Sequence, residues 1–222
     1  MFLQIEVDPK LFRFFIFLLF FILAATVHEF AHAYSAHKLG DNTAKNQGRL
    51  TFNPIKHIDL FGTILMPFIS FFSGMALIGW AKPVPVDRSS FKDPYKDHAI
   101  VAAAGPVSNI VLAFFLALIL SIIVHTGSIE ASSFSDYLFQ ALSYGVFINV
   151  FLFLFNLLPI PPLDGAFILF DLFPNEFTAK YINLGLYGTL ILILFIYSPL
   201  WGYFFSFVQK IMEFVWIITG LR

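Results

Sequence analysis

Cysteine is absent from the 222 residues, so the chain has no disulfide framework, no thiolate metal site and no cysteine nucleophile. Charge is scarce as well. Asp, Glu, Lys and Arg make up 12% of the chain, about half the usual quarter. A net charge of −1 is no polyanion-binding signature, which excludes a nucleic-acid binder. No period of 20–50 residues repeats, and no stretch is polar enough to form a separate soluble domain. Apolar residues are abundant: AVILMFWYC account for 59%, and 31 phenylalanines lift the aromatic share to 19%. Mean hydropathy is +0.82. A soluble fold has too little interior to hide that much apolar surface. The composition therefore excludes a soluble enzyme and a disordered chain, and it predicts an integral membrane protein.

A membrane span needs about 20 mainly apolar residues. The first candidate runs from Leu11 to about His37, and its purely apolar part, Phe14 to Val27, is followed at once by His28, Glu29 and His32. The basic residues Lys10 and Arg13 ahead of this run resemble a secretory signal, but cleavage at Ala24-Ala25 would sever the helix just before its most unusual residues. Further candidates are Leu60–Trp80, broken by Pro67, Gly74 and Gly79, then Ala99–Val124 and Tyr137–Leu158. After a short apolar stretch, Ala166–Phe173, come Leu184–Tyr197 and Leu200–Leu221. The last carries Gln209, Lys210 and Glu213 near its middle, so it can span or lie in the interface.

Eight of the 13 basic residues sit in two loops, Lys38, Lys45, Arg49 and Lys56, then Lys82, Arg88, Lys92 and Lys96. The segment 125–136 has none. The positive-inside rule puts both basic loops in the cytoplasm and 125–136 outside. Two loops that flank one complete crossing cannot share a side, and 60–80 is too short for two helical crossings. It therefore reads as a re-entrant segment, tolerated only beside protein or a wet cavity. The predicted fold is an all-α polytopic membrane protein with about five to six transmembrane helices. It is expected to form one domain over 1–222, with a catalytic core at about 11–165 and C-terminal helices at about 181–221.

The sharpest motif is His28-Glu29-Phe30-Ala31-His32. On a helix, residues i and i+4 share a face, so both imidazoles can meet one Zn²⁺. Glu29 stands beside the first ligand, where its carboxylate can take a proton from water activated by the metal. Chance matches to HExxH in this composition number roughly 0.004. Three ionisable groups within five residues of an apolar helix are costly, and such groups are functional by default. The competing reading is a buried polar cluster bonded to a neighbouring helix. At 1.5 Å per residue, His28 lies about 22 Å from Arg13 and about 15 Å from Lys38, inside the hydrocarbon and nearer the cytoplasmic face.

A catalytic zinc usually has three protein ligands and one open position. The metzincin pattern would need a histidine where Lys38 stands. The remaining candidates are His37, His57, His98, Asp59, Asp164 and Asp171. His37 is about 140° around the helix from His32. His57 and His98 lie in or beside basic loops and read as solvated surface histidines, and His125 belongs to the outer end. Asp164 stands out, because it ends Asn156-Leu-Leu-Pro-Ile-Pro-Pro-Leu-Asp164-Gly165, where the prolines prevent a regular helix and a side chain can be aimed inward. With a re-entrant 60–80 segment, Asp164 also arrives at the depth of His28 and His32.

These motifs resemble the site-2 protease family of intramembrane zinc metalloproteases, in its compact bacterial type without a PDZ domain. The resemblance extends from about residue 28 to 165. It rests on His28–His32, Asn53–Asp59, Gly79–Val86, Ala104-Gly-Pro-Val-Ser-Asn109 and Asn156–Gly165. Many members have a span before the HExxH helix, whereas here that helix comes first. The resemblance implies one Zn²⁺ per chain bound by His28, His32 and Asp164, with Glu29 as general base and acid. It also implies that Asn156 helps hold substrate or the developing oxyanion. Asn109, with Gly105 and Pro106, matches a core-helix motif that offers packing and a polar contact, at the edge of a substrate-binding role.

The implied substrates are single-span membrane proteins cut within or near their helices, in the cell (inner or plasma) membrane, with no nucleic-acid partner. A helical substrate must be locally extended before attack, and Arg49–Asn53 or Pro83–Val86 could offer an edge for it. Prolines there are equally consistent with a plain membrane-exit turn. A metal-ion transporter using the His/Asp cluster is the alternative function, although Phe14–Val27 offers almost no ligands for an ion path.

Overall fold

The computed structural model describes residues 9–75, 79–126 and 133–221. Among the described residues the regular structure is entirely helical. Three helices are long and apolar enough to cross a membrane: α1 (Pro9–Lys38), α4 (Pro94–His125) and α5 (Ser133–Asn156). Two very short elements, α2 (Thr43–Asn46) and α3 (Met66–Ser73), lie between α1 and α4. Helix α1 contains no glycine or proline after Pro9, and the chain turns away at Gly40, whose φ of +113° suits glycine. Helix α4 starts at a full cap: the Asp93 carboxylate accepts from Lys96 N–H at 3.1 Å, and Pro94 fills the first turn.

Helix α4 packs against both α1 and α5. Their shared core holds Ala24, Ala113 and Ala117, all fully buried, beside Phe20, Leu116, Leu120 and Val146. Such small residues let membrane helices approach closely, where dispersion replaces the hydrophobic effect as the attraction. Gly145 serves the same end, since a Cβ there would lie 2.5 Å from the Phe20 ring.

The segment from residue 60 leaves and returns to one place. A π-helical run, Leu60–Leu65, feeds α3, which ends at Gly74 with φ +71°. Phe68, Phe71 and Phe72 of α3 pack on Phe14 near the start of α1, with ring centroids 5.3–5.5 Å apart. By Trp80 the chain is back beside its starting point. Trp80 N–H donates to Gly62 C=O at 3.0 Å, and the Thr63 hydroxyl donates to Trp80 C=O at 2.9 Å. This path is compatible with a re-entrant hairpin, and residues 76–78 of that segment lie outside the described residues.

After α5 come α6 (Asp164–Leu172), α7 (Glu176–Ile182), α8 (Leu186–Ile196) and α9 (Leu200–Ile218). Among the described residues the candidate spans number three, or four if the α7–α8 pair, bent by 78°, counts as one. Apolar runs alone predict about five to six. The difference has two causes. The apolar stretch near 184–197 gives a helix of only 11 residues, and α9 is amphipathic. It buries Phe204, Val208 and Val215 in the α1–α4–α5 core, and it exposes Gln209, Lys210 and Glu213.

Candidate metal centre

The candidate site lies where α1, α4 and the start of α6 meet. On α1, His28 and His32 present Nε2 atoms 3.0 Å apart. Asp164 closes the triangle, with Oδ2 3.1 Å from His28 Nε2 and Oδ1 3.4 Å from His32 Nε2. Among the described residues this is the group of His, Asp and Glu side chains that could hold a metal ion. His28, Glu29 and His32 are buried.

The local sequence builds this arrangement. Pro159, Pro161 and Pro162 end the helical run after Asn156, so the chain turns and restarts as α6 with Asp164 in its first turn. Gly165 lets that turn close, because a Cβ there would collide with the Leu157 carbonyl. The turn is braced from behind: the Tyr181 hydroxyl of α7 donates to Pro159 C=O at 2.7 Å. Gly188 of α8 packs on Pro161, where a Cβ would come within 2.9 Å of the proline. Gly105 of α4 sits against the two imidazoles. A Cβ there would lie 2.6 Å from His28 Nε2 and closer still to His32 Nε2.

The outer nitrogens show what the inner ones must be. His32 Nδ1 faces Val101 C=O at 2.7 Å, which can only accept, so that nitrogen carries the proton. His28 Nδ1 faces Asn109 Oδ1 at 2.7 Å. With both Nδ1 atoms donating, two Nε2 lone pairs and a carboxylate converge on one point. Asp164 Oδ2 is buried without a hydrogen-bond donor. Such a cluster repels itself unless a cation joins it. Ligands placed tetrahedrally around Zn²⁺ at about 2.0–2.1 Å stand about 3.3–3.4 Å apart, close to the three separations seen here. Two imidazoles and one carboxylate leave the fourth position of a tetrahedral ion to water or substrate. The residues fit a catalytic zinc.

Glu29 follows His28 on α1, and its Oε2 accepts from Val84 N–H at 2.7 Å. The strap from 79 to 87 thus reaches the site, and it is tied down along its length. Lys82 N–H donates to His57 C=O at 2.9 Å, Arg49 Nη2 donates to Lys82 C=O at 2.6 Å, and Asp41 Oδ2 accepts from Asp87 N–H at 2.8 Å.

The other candidates lie outside the His28–His32–Asp164 triangle, although Asn109 Oδ1 touches His28. Asn109 is fully buried and donates to Ala24 C=O and Asn149 Oδ1, both at 3.1 Å. Asn156, half-buried at the end of α5, donates back to Leu152 C=O at 3.0 Å. Asp59 caps the π-helical run by accepting from Gly62 N–H at 2.7 Å, and His37 pairs with Asn42 Oδ1 at 2.7 Å. His57 and His98 are not the solvated surface groups their basic surroundings suggested. His57 is buried with Nε2 2.8 Å from Thr51 C=O, and His98 binds Asp171 Oδ2 at 2.6 Å. Asp171 also pairs with Arg88 Nη1 at 2.9 Å. Their sequence neighbours are basic, but their contacts come from elements distant in the chain. Asn149, the Val84 N–H and the Val101 C=O escaped the sequence reading. Only Asn149 left a signal, as an isolated amide in the apolar run of α5.

Comparison with known proteins agrees with this chemistry. Residues 119–196 match the family described as Peptidase family M50. The chain is 46% identical over 183 residues to "Putative zinc metalloprotease YwhC" of Bacillus subtilis (strain 168), covering 82% of this chain and 80% of that protein. The chain belongs to peptidase family M50. Other similar proteins include "Putative zinc metalloprotease Rip2" of Mycolicibacterium smegmatis, 27% identical over 87% of this chain and 71% of that one. Another is "Putative zinc metalloprotease MJ0611" of Methanocaldococcus jannaschii, 36% identical over 46% of this chain and 50% of that one. No solved structure matches the chain. The M50 assignment and the helices long enough to span place a peptidase in a lipid environment. The transporter alternative finds no support: the matched family is a peptidase family, and the relatives are named as proteases.

Proposed function

We propose that this M50 peptidase is an intramembrane zinc metalloprotease that cuts single-span membrane proteins within or near their helices. In this reading His28, His32 and Asp164 hold the zinc, Glu29 moves protons, and residues 1–222 act as one domain with its catalytic core at about 11–165. The observation that carries it is the convergence of a carboxylate and two imidazoles whose outer nitrogens are already occupied. Bound there, zinc would polarise the scissile carbonyl and make water nucleophilic near neutral pH. Glu29 accepts the proton of the attacking water and passes it to the leaving amine. The Val84 N–H holds Oε2 of that carboxylate, which leaves Oε1 to receive the proton.

The strap suggests how an unwound substrate is held. Trp80, Lys82 and Val84 bond inward in alternation, as in an extended chain, so Ala81, Pro83 and Pro85 present the opposite edge. Prolines have no N–H, so this edge offers mainly carbonyls. A substrate strand can give its N–H groups to that edge while its own carbonyls stay unbonded and open to attack. Replacing Lys82–Val86 with a flexible linker should alter cleavage rate and site; unchanged cleavage would sink this part of the proposal. Asn109 is better placed to hold His28 than to touch substrate. Asn156, at the mouth of the proline turn, keeps its carbonyl oxygen for a ligand.

The basic loops and the re-entrant path favour a site nearer the cytoplasmic face of the cell membrane. The ligand set is tested by Asp164→Ala, which should lose zinc during dialysis against a chelator that leaves the parent loaded. Full occupancy in the variant would refute ligation by Asp164.

A further inference from the structure

A buried amide relay crosses three helices and ends on a metal-ligand candidate. Asn149 of α5 donates from Nδ2 to Gly145 C=O at 2.9 Å. Its Oδ1 accepts from Asn109 Nδ2 of α4, which also donates to Ala24 C=O of α1. Asn109 Oδ1 then faces His28 Nδ1 at 2.7 Å. Both asparagines are completely buried. The direction of every bond is forced, because the two terminal partners, Gly145 C=O and Ala24 C=O, can only accept. Each therefore claims an NH₂ group, the Asn149 oxygen must face Asn109, and the Asn109 oxygen must face His28. The proton of the neutral imidazole is thereby placed on Nδ1, and the Nε2 lone pair points at Asp164 and His32.

We propose that Asn149 is a positioning residue which, through Asn109, fixes the His28 tautomer that can bind a metal. Resting on the ligand set given above, the relay adds a residue 121 positions away from the histidine it controls. Asn109 alone has an anchor at Ala24, but its second N–H needs an acceptor. Without Asn149 that N–H is stranded in an apolar core, and the Ala24 bond alone is left to hold the amide against rotation. An amide that gives up this bond and rotates would aim N–H at His28 Nδ1, move the imidazole proton to Nε2 and remove the lone pair that binds metal. Outer partners of this kind are typically worth about 10–100-fold in metal affinity.

The test is zinc affinity of the purified full chain in detergent, measured by competition with a chromogenic chelator. The Co²⁺ absorption spectrum serves as a second readout of site geometry. Asn149→Leu and Asn149→Ala should both weaken zinc binding by about 10–100-fold and alter the Co²⁺ spectrum. Asn149→Asp keeps an acceptor for Asn109 and, when protonated, a donor for Gly145, so it should stay near the parent affinity. A purely packing role predicts the reverse order, with the volume-conserving Leu variant best tolerated. The proposal is overturned if Leu and Ala variants bind zinc like the parent, or if Asp loses as much as they do. His28→Ala is the control. If it binds zinc like the parent the ligand set is wrong, whereas loss of binding in His28→Ala alone sinks only the relay.

Discussion

At the residue scale the site depends on groups that leave room as much as on groups that bind. Gly105 is the clearest case, since a single methyl there would enter the space between two imidazoles. Gly105→Ala should therefore abolish zinc retention while leaving helix content unchanged, as checked by metal analysis and circular dichroism. Glu29→Gln makes the opposite separation. It removes a proton acceptor without touching a proposed ligand, so zinc should stay bound while turnover falls by roughly 10²–10⁴-fold. The four residues with chemical character, His28, Glu29, His32 and Asp164, were legible in the sequence because ionisable groups in an apolar setting are conspicuous. Their supports were not. Val101 acts through a backbone carbonyl and Val84 through a backbone N–H, and neither leaves a mark in residue identity.

At the element scale, α6 must be held in register for Asp164 to reach the histidines, and Asp171 is the anchor two turns on. Its carboxylate is fully buried between Arg88, just after the strap, and His98 of α4. Asp171→Ala removes the charged acceptor shared by His98 and the partly exposed Arg88, and should cost about 1.5–3 kcal/mol. It should appear as a lower thermal unfolding temperature, with faster zinc loss because α6 is freed. Zinc loss matching the parent would separate α6 anchoring from the site. The presence of α1, α4 and α5 could be read from apolar length alone, although α4 starts at Pro94 rather than Ala99 and α5 at Ser133 rather than Tyr137. The C-terminal elements could not: α8 is too short to span, and α9 hides three residues in the core while exposing its polar side. Hydropathy reports how apolar a stretch is, whereas packing decides which face of it meets protein.

At the scale of the whole molecule, α1, α4 and α6 frame the candidate metal centre, α5 packs against α4 and α1, and the chain after the 60–80 segment brings the strap to Glu29. The absence of cysteine makes this topology directly measurable. Single cysteines at Lys45 and Lys92 should react with a membrane-impermeant maleimide only in inverted vesicles, and one at position 125 only from outside. Labelling of Lys45 and Lys92 from opposite sides would rule out the re-entrant path. The central claim is that the three converging ligands and Glu29 make a peptide-cleaving zinc site within the membrane, and its most direct test is cleavage itself. The purified protein, incubated with a panel of single-span helices, should release fragments that disappear with a chelator, return with added Zn²⁺ and are missing with Glu29→Gln. Fragments that persist in the chelator, or that the Glu29→Gln protein produces at the parent rate, would contradict it.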